Sequence, residues 1–273
     1  MKKPVYINSV GSLSAQKTFN NSEFLEVITD HHANQLQVNS PDYKSYIPPA
    51  AARRMAKGIK MSTVSSQTAL KETGLDNVDA IIVGTGLGSL NESEKFVSDI
   101  INNNEQYLTP TRFIQSSHNT VAGQIALGLG CKGYNFTYVN SAVSFESSLL
   151  DAQMQLETSQ ATNILVGGVD ELVGHHLKSH QLIKHFKNEP VTSTKLLQSK
   201  SAGAIMGEGS HFFVLSTKKQ ASTYAQLVGV EIYNILSKEN LLNKINAFLN
   251  DYNTPLNSID LVILGNNGDV NFD

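Results

Sequence analysis

Runs of apolar residues separated by polar segments predict the strands of this chain. Residues 80–83, 164–166 and 212–215 are continuously apolar. Apolar runs of this length are typical of strands that are buried on both faces of a sheet. The apolar run at residues 261–264 predicts another strand of this kind, and shorter or mixed runs predict three more, at residues 4–10, 136–139 and 227–230.

Helical patterns lie between these strands. Residues 48–73 contain no proline after the opening Pro48-Pro49 pair and are followed by Gly74, which predicts one helix with a glycine past its end. Apolar residues repeat at helical spacing in four more segments, which begin near residues 91, 120, 145 and 238. Alternating helices and fully apolar strands predict an α/β protein layered around a parallel or mixed sheet.

Composition limits the classes of partner. With 273 residues and 40% hydrophobic content, the chain can bury a large core as one domain or two halves. A net charge of -3, spread along the chain, gives no electrostatic basis for binding nucleic acid or an anionic membrane. The single Cys131 cannot form an internal disulfide, and residues 1–10 lack the apolar run of a signal peptide. We therefore expect a cytoplasmic protein that contacts neither a membrane nor nucleic acid.

Five short glycine-containing motifs follow one another along the chain. Together they resemble the β-ketoacyl synthase family, which extends acyl chains, and the resemblance runs from about Val5 to the end apart from residues 14–47. The family has a duplicated thiolase fold with α-β-α-β-α layers and mixed sheets. The resemblance therefore implies an N-terminal half at residues 1–216 and the start of an incomplete C-terminal half at 217–273. The motifs are at residues 84–88, 118–123, 165–169, 206–209 and 225–229.

The glycine clusters have a structural explanation. Gly84, Gly86 and Gly88 follow a strand, but their spacing differs from that of a dinucleotide-binding turn, so we interpret them as a structural turn. Residues 206–209 are expected to be a tight backbone crossing near the site, because glycine permits close approach of two chain segments. We expect no cofactor.

The resemblance also locates the expected nucleophile. Ketosynthases carry a cysteine on a turn between a strand and a helix, where the helix N-terminus lowers its pKa. Counting from the flanking Gly133 and from Gly167 both place Ala142 there, and a methyl group cannot form a thioester. Ser141 or Ser144 could replace the thiol, although no general base is visible nearby.

The family's histidines are expected in the second half. The strand predicted at 261–264 is followed by Gly265 where the family has its first catalytic histidine, and the second would lie beyond Asp273. Cys131 precedes the expected turn and is interpreted as an ordinary small residue.

The histidines present suggest other roles. His118 is interpreted as an interface or capping residue, and the neighbouring Asn119 as an interface residue. No cysteine or carboxylate completes a zinc site near the remaining cluster, which we interpret as a solvated helix without a metal. Its members are His175, His176, His180 and His185.

The sequence therefore predicts a ketosynthase-like subunit without its own condensing activity. The resemblance implies an acyl carrier protein and either a homodimer or a heterodimer with an active ketosynthase, as for chain-length factors of type II polyketide and aryl-polyene systems. Those factors often carry glutamine where this chain has Ala142. We expect Phe136 and Tyr138, on the strand before the turn, at the two-fold contact. Two alternatives remain: an active synthase with a displaced nucleophile, and a structural assembly protein.

Overall fold

A computed structural model describes residues 3–19 and 24–273. Residues 20–23, within the stretch 14–47 that the resemblance does not cover, lie outside the described residues. In chain order, the strands β1 to β10 are Val5–Leu13, His32–Ala33, Gln35–Leu36, Ala80–Gly84, Tyr134–Tyr138, Asn163–Asp170, Val191–Thr192, Met206–Gly207, Gly209–Ser216 and Ala225–Leu227. The helices α1 to α8 are Pro49–Ala52, Lys57–Thr73, Leu90–Asn102, Pro110–Gln115, Thr120–Leu129, Ser144–Glu157, Gly174–Leu182 and Lys238–Asp251.

Six strands form one mixed sheet in the order β10-β1-β9-β6-β4-β5. The pairs β4–β5 and β4–β6 are parallel, whereas β9 runs antiparallel to both β6 and β1. Strand β5 is therefore one edge of the sheet, and the short strand β10 is the other. Two small pairs, β2 with β7 and β3 with β8, lie outside this sheet.

Helices cover both faces of the sheet. On one face, Ile81 and Val83 of β4 pack into a core that includes Ile59 of α2 and Ile125 of α5. On the other face, Ile82 packs with residues of α6. Because successive strand residues point to opposite faces, a fully apolar strand such as β4 suits burial on both sides. The arrangement confirms the thiolase-like layered α/β fold class with a mixed sheet.

The helix predicted across residues 48–73 is divided. Helix α1 ends at Ala52 and α2 begins at Lys57. Two side chains that are distant in sequence accept hydrogen bonds from backbone N–H groups at this break. Gln115 accepts from the Ala56 N–H at 2.7 Å, and Glu171 accepts from the Gly58 N–H at 3.1 Å. The prediction of one continuous helix was wrong because these tertiary contacts replace helical hydrogen bonds.

The last part of the chain differs from its predicted pattern. The strand predicted at 227–230 is observed as β10, Ala225–Leu227, which is shorter and begins two residues earlier. Residues 261–264 form no strand, and their side chains are exposed. Helix α8 forms as predicted, but none of its residues is buried. Apolar character alone did not produce a strand at 261–264, because no described strand pairs with this segment.

Among the described residues, no helix combines the length and the apolar character needed to cross a membrane. The boundary that we predict after residue 216 coincides with the end of β9. Strand β10, which follows that boundary, joins the same sheet through β1.

Candidate functional site

A cleft of about 540 Å³ opens where several strand ends meet. Strands β4 and β6 end at this edge of the sheet, and the antiparallel β9 begins there. The cleft is lined by the turn before α6, including Ala142, and by His211 of β9. Clefts at the carboxyl ends of strands are the usual ligand sites of α/β proteins.

The turn between β5 and α6 has the sharp geometry expected of a nucleophile position. Ser141 has a φ of 48°, in the left-handed region that residues other than glycine seldom adopt. A short 3-10 turn, Ser141–Val143, then leads into α6. Ala142 is exposed at the mouth of the cleft and contributes only a methyl group.

Ser144 uses its hydroxyl to hold this turn together. Its Oγ accepts a hydrogen bond from the Asn140 N–H at 2.8 Å and donates one to the Ser141 carbonyl at 2.7 Å. The residue is buried, with 3% of its surface exposed. The Ser141 hydroxyl is exposed instead and has no hydrogen-bond partner among the described residues. Neither serine contacts a described side chain that could act as its base.

Two glycines let the turn sit directly against the sheet. A Cβ at Gly84 would lie 2.5 Å from the Ser144 carbonyl oxygen, and one at Gly86 would lie 3.2 Å from the Ser141 carbonyl oxygen. Real Cβ contacts do not reach the first distance, so the close approach at Gly84 requires glycine.

Asp170 organises the glycine turn. Its carboxylate accepts hydrogen bonds from the N–H groups of Gly86 and Leu87 at 3.0 and 2.9 Å and from the Thr85 hydroxyl at 2.8 Å. Thr85 Oγ1 in turn accepts the Gly88 N–H at 2.9 Å. These N–H groups donate to a carboxylate of the protein itself, and the interpretation of residues 84–88 as a structural turn stays a prediction.

Glu208 fixes the adjacent wall of the cleft. It is 6% exposed, and it accepts hydrogen bonds from the backbone N–H groups of Val38 and Leu172. It also forms an ion pair with Lys57. The flanking Gly209 would place a Cβ 2.9 Å from the Leu13 carbonyl oxygen. Residues 206–209 therefore form the tight crossing predicted near the site.

His211 is a cleft residue that the sequence interpretation missed. Strand register pairs it with Gly168 of β6 and with Ser12 of β1. Its Nδ1 lies 2.9 Å from Ser12 Oγ, and burial lowers the pKa of its imidazole. The alternation of residues along a strand puts His211 on the same side as Phe213, a signal that could have identified it.

The remaining histidine predictions fall outside the cleft. Gly265 is exposed, does not line the cleft, and would place a Cβ within 4 Å of nothing described. His180 Nδ1 lies 3.0 Å from His185 Nδ1, and neither residue lines the cleft. Within the described ranges, no three His, Cys, Asp or Glu side chains are grouped to hold a metal ion.

The predicted interface residues lie along the exposed edge of β5. Phe136 is 45% exposed and stacks between Tyr134 and Tyr138, with ring centroids 6.0 and 4.9 Å away. Burial, followed by the nearby Asp151 carboxylate, raises the pKa of Tyr138 to about 12. On the opposite face of the strand, the Thr137 hydroxyl donates to the Asn119 side-chain oxygen at 2.8 Å.

His118 occupies a different position. Its ring lies over Gly88, where a Cβ would be 2.4 Å from the ring. The N-cap of α5 is Asn119, so His118 does not cap that helix. Its role at an interface stays a prediction.

The mixed sheet, the covering helices and the turn before α6 define a thiolase-like protein. The family model of the β-ketoacyl synthase N-terminal domain matches residues 17–221, and the chain belongs to this family. The chain resembles 3-oxoacyl-[acyl-carrier-protein] synthase 2 of Staphylococcus aureus, with 22% identity over 205 residues that cover 68% of this chain and 48% of the relative. It thus spans about half the length of the curated relatives that it matches.

Solved structures share the fold. A β-ketoacyl synthase from Burkholderia phymatum has a TM-score of 0.76 at 16% identity, covering 99% of this chain and 76% of the other. The ishigamide ketosynthase/chain length factor has a TM-score of 0.73 at 14% identity, covering 95% of this chain and 72% of the other.

Proposed function

We propose that this chain is a ketosynthase-like subunit of fatty-acid or polyketide acyl-chain elongation that does not itself form the acyl thioester. The observation that carries this proposal is Ala142. It occupies the mouth of the cleft, next to a residue with the positive φ of a sharp nucleophile turn. The turn therefore combines the positive φ of Ser141 with a methyl group, in place of a thiol, at residue 142.

The cleft offers no obvious substitute for a thiol. Ser144 donates its only hydroxyl proton within the turn, and a serine nucleophile needs an adjacent base. Gly265, which we propose corresponds to the family's first catalytic histidine, provides no imidazole. Ala142 in the cleft supports a subunit that binds or shapes an acyl chain while a partner performs the condensation, and the correspondence of Gly265 stays a prediction.

The exposed edge of β5 supports pairing with another ketosynthase-type subunit. Tyr134 and Phe136 are both exposed there, and the outer backbone groups of β5 have no neighbouring strand in the sheet. An exposed apolar edge invites pairing with a second sheet. We propose that β5 meets its equivalent across a two-fold contact, in a homodimer or in a heterodimer with an active ketosynthase, and that an acyl carrier protein delivers the acyl group in the cytoplasm.

Light scattering at low micromolar concentration tests the association. The unmodified chain is expected to be a dimer, or to become one when it is mixed with an active ketosynthase from the same organism. Phe136→Asp should shift the chain to monomer, because the charge would be buried in an apolar contact. Phe24→Asp is the matched control, since the Phe24 side chain is fully exposed, and it should leave the association intact. A monodisperse monomer of the unmodified chain, both alone and in the mixture, would contradict the proposal.

A further inference from the structure

The strongest unassigned chemical group in the cleft is the imidazole of His211. His211 lies on β9, directly opposite Gly168 on the neighbouring strand β6. Gly168 in turn lies against the ring of Phe145, where a Cβ would be 3.2 Å from that ring. His211, Gly168 and Phe145 therefore lie together in the lining of the cleft.

Ser12 lies beside one nitrogen of this imidazole, with its Oγ 2.9 Å from His211 Nδ1. Either group can donate in this pair, because the direction depends on the tautomer of the ring. We take the arrangement in which the Ser12 hydroxyl donates to Nδ1. A neutral imidazole has one N–H and one acceptor nitrogen. With Nδ1 accepting, the ring proton is on Nε2.

The donor Nε2–H is held at the cleft and has no partner in the described part of the chain. A Cβ at Gly209 would lie 3.1 Å from Nε2, so glycine at this position leaves the nitrogen accessible. Burial lowers the pKa of His211, and no charged side chain contributes to that shift. Burial thus favours the neutral imidazole, which can donate a hydrogen bond to a carbonyl.

The cleft around this donor is otherwise suited to an acyl chain. Phe145 and Phe213 line it together with Val169, and the carboxylates of Asp170 and Glu208 are occupied by backbone N–H groups. A pocket with apolar side chains and few available polar groups, here the imidazole and the Ser141 hydroxyl, suits an apolar ligand with few polar atoms.

We infer that the Nε2–H of His211 holds the carbonyl oxygen of a thioester-linked acyl group in this cleft. The inference rests on the proposed function, because that function supplies the acyl thioester as ligand. His211 acts here as a positioning and binding residue on β9, a strand of the first half of the chain. No bond is formed or broken in this step.

Isothermal titration with octanoyl-pantetheine and with octyl-pantetheine, the thioether that lacks the carbonyl, tests the inference. The unmodified chain should bind the thioester about tenfold more tightly, as expected for one buried hydrogen bond. His211→Phe should remove this preference while retaining thioether binding, and His211→Gln should restore part of it through the amide N–H. The control His185→Gln lies on the exposed histidine cluster and should behave like the unmodified chain.

A spectroscopic readout separates a direct contact from a general effect on the cleft. The infrared carbonyl stretch of bound ¹³C-labelled thioester should lie at lower frequency in the unmodified chain than in His211→Phe. Equal affinity for the two ligands, identical carbonyl frequencies, or no binding of either ligand would overturn the inference. Light scattering on the same samples keeps the two proposals apart. An intact dimer without carbonyl preference refutes only the role of His211, whereas a monomer with carbonyl preference refutes only the partner-subunit function.

Discussion

Ser144 closes the turn after β5 by accepting a hydrogen bond from the backbone N–H of Asn140 at 2.8 Å. This bond closes the turn and does not cap α6, whose N-cap residue is Val143 and has no side-chain cap hydrogen bond. The hydroxyl therefore has a structural task within the turn, and Ser144 is buried where it lines the cleft. The turn is kept in shape independently of any thiol at residue 142.

We expect neither Ser141 nor Ser144 to form an acyl adduct. Incubation with an acyl-acyl-carrier-protein thioester or with a cerulenin-type inhibitor should leave the chain at its unmodified mass, because no general base contacts either hydroxyl. Intact-mass spectrometry followed by peptide mapping is the measurement. An adduct on Ser141, whose hydroxyl is exposed, would instead favour the alternative of an active synthase with a displaced nucleophile.

Gly84→Ala should strongly destabilise the protein. The new methyl group would overlap the backbone of Ser144 and Phe145 at 2.5 to 2.6 Å, and overpacking of this kind costs roughly 1–3 kcal/mol or more. Gly123→Ala is the matched control, because a Cβ there meets nothing within 4 Å. In the middle of α5 it should be neutral or stabilise by up to about 1 kcal/mol. Urea denaturation compares the two, and equal effects would contradict the close packing.

Glu208→Ala should be more destabilising than removal of an exposed ion pair. The substitution leaves the N–H groups of Val38 and Leu172 without acceptors and Lys57 without its partner, which together cost roughly 3–5 kcal/mol. The control Asp99→Ala breaks a more exposed pair with Arg112 and should cost less than about 1 kcal/mol. Chemical denaturation measures both. A cost at Glu208 no greater than at Asp99 would count against the role of Glu208.

Stability should fall when the pH is lowered from 7 to 5, in part because of His211. Burial lowers the pKa of this histidine in the folded protein, so the unfolded chain takes up its proton first as the pH decreases. The contribution of His211 to the free energy of unfolding is complete above its unfolded pKa of about 6.5 and is lost as the pH falls through its pKa in the folded protein. Urea midpoints at pH 7 and pH 5 should therefore differ less in His211→Gln than in the unmodified chain, while His185→Gln should keep the full difference.

Elements that depend on a short stretch of neighbouring residues were predicted correctly from the sequence. Strands β4, β6 and β9 are continuous apolar runs, and the structure buries them in the centre of the sheet. Helix α5 ends where Gly130 adopts a positive φ of 65°, as the glycine signal predicts. The motif count placed Ala142 on the turn before α6, where the structure has it.

Features that depend on distant contacts were not predictable in this way. The break before α2 is stabilised by Gln115 and Glu171, which are far away in the sequence. Residues 261–264 have the composition of a buried strand, yet no partner strand lies beside them. His211 was overlooked because its importance comes from register with Gly168 and Ser12, and register is set by the whole sheet.

The position of β1 in the sheet has a consequence for the newly synthesised chain. β1 is synthesised well before both of its neighbours in the sheet, β9 and β10, which come from residues 209–227. At typical rates of translation, roughly 10–40 s pass before either neighbour exists. During that interval the backbone groups of β1 have no native strand to pair with, and such long-range pairing slows folding. The nascent chain is therefore expected to depend on chaperones until β9 has emerged from the ribosome.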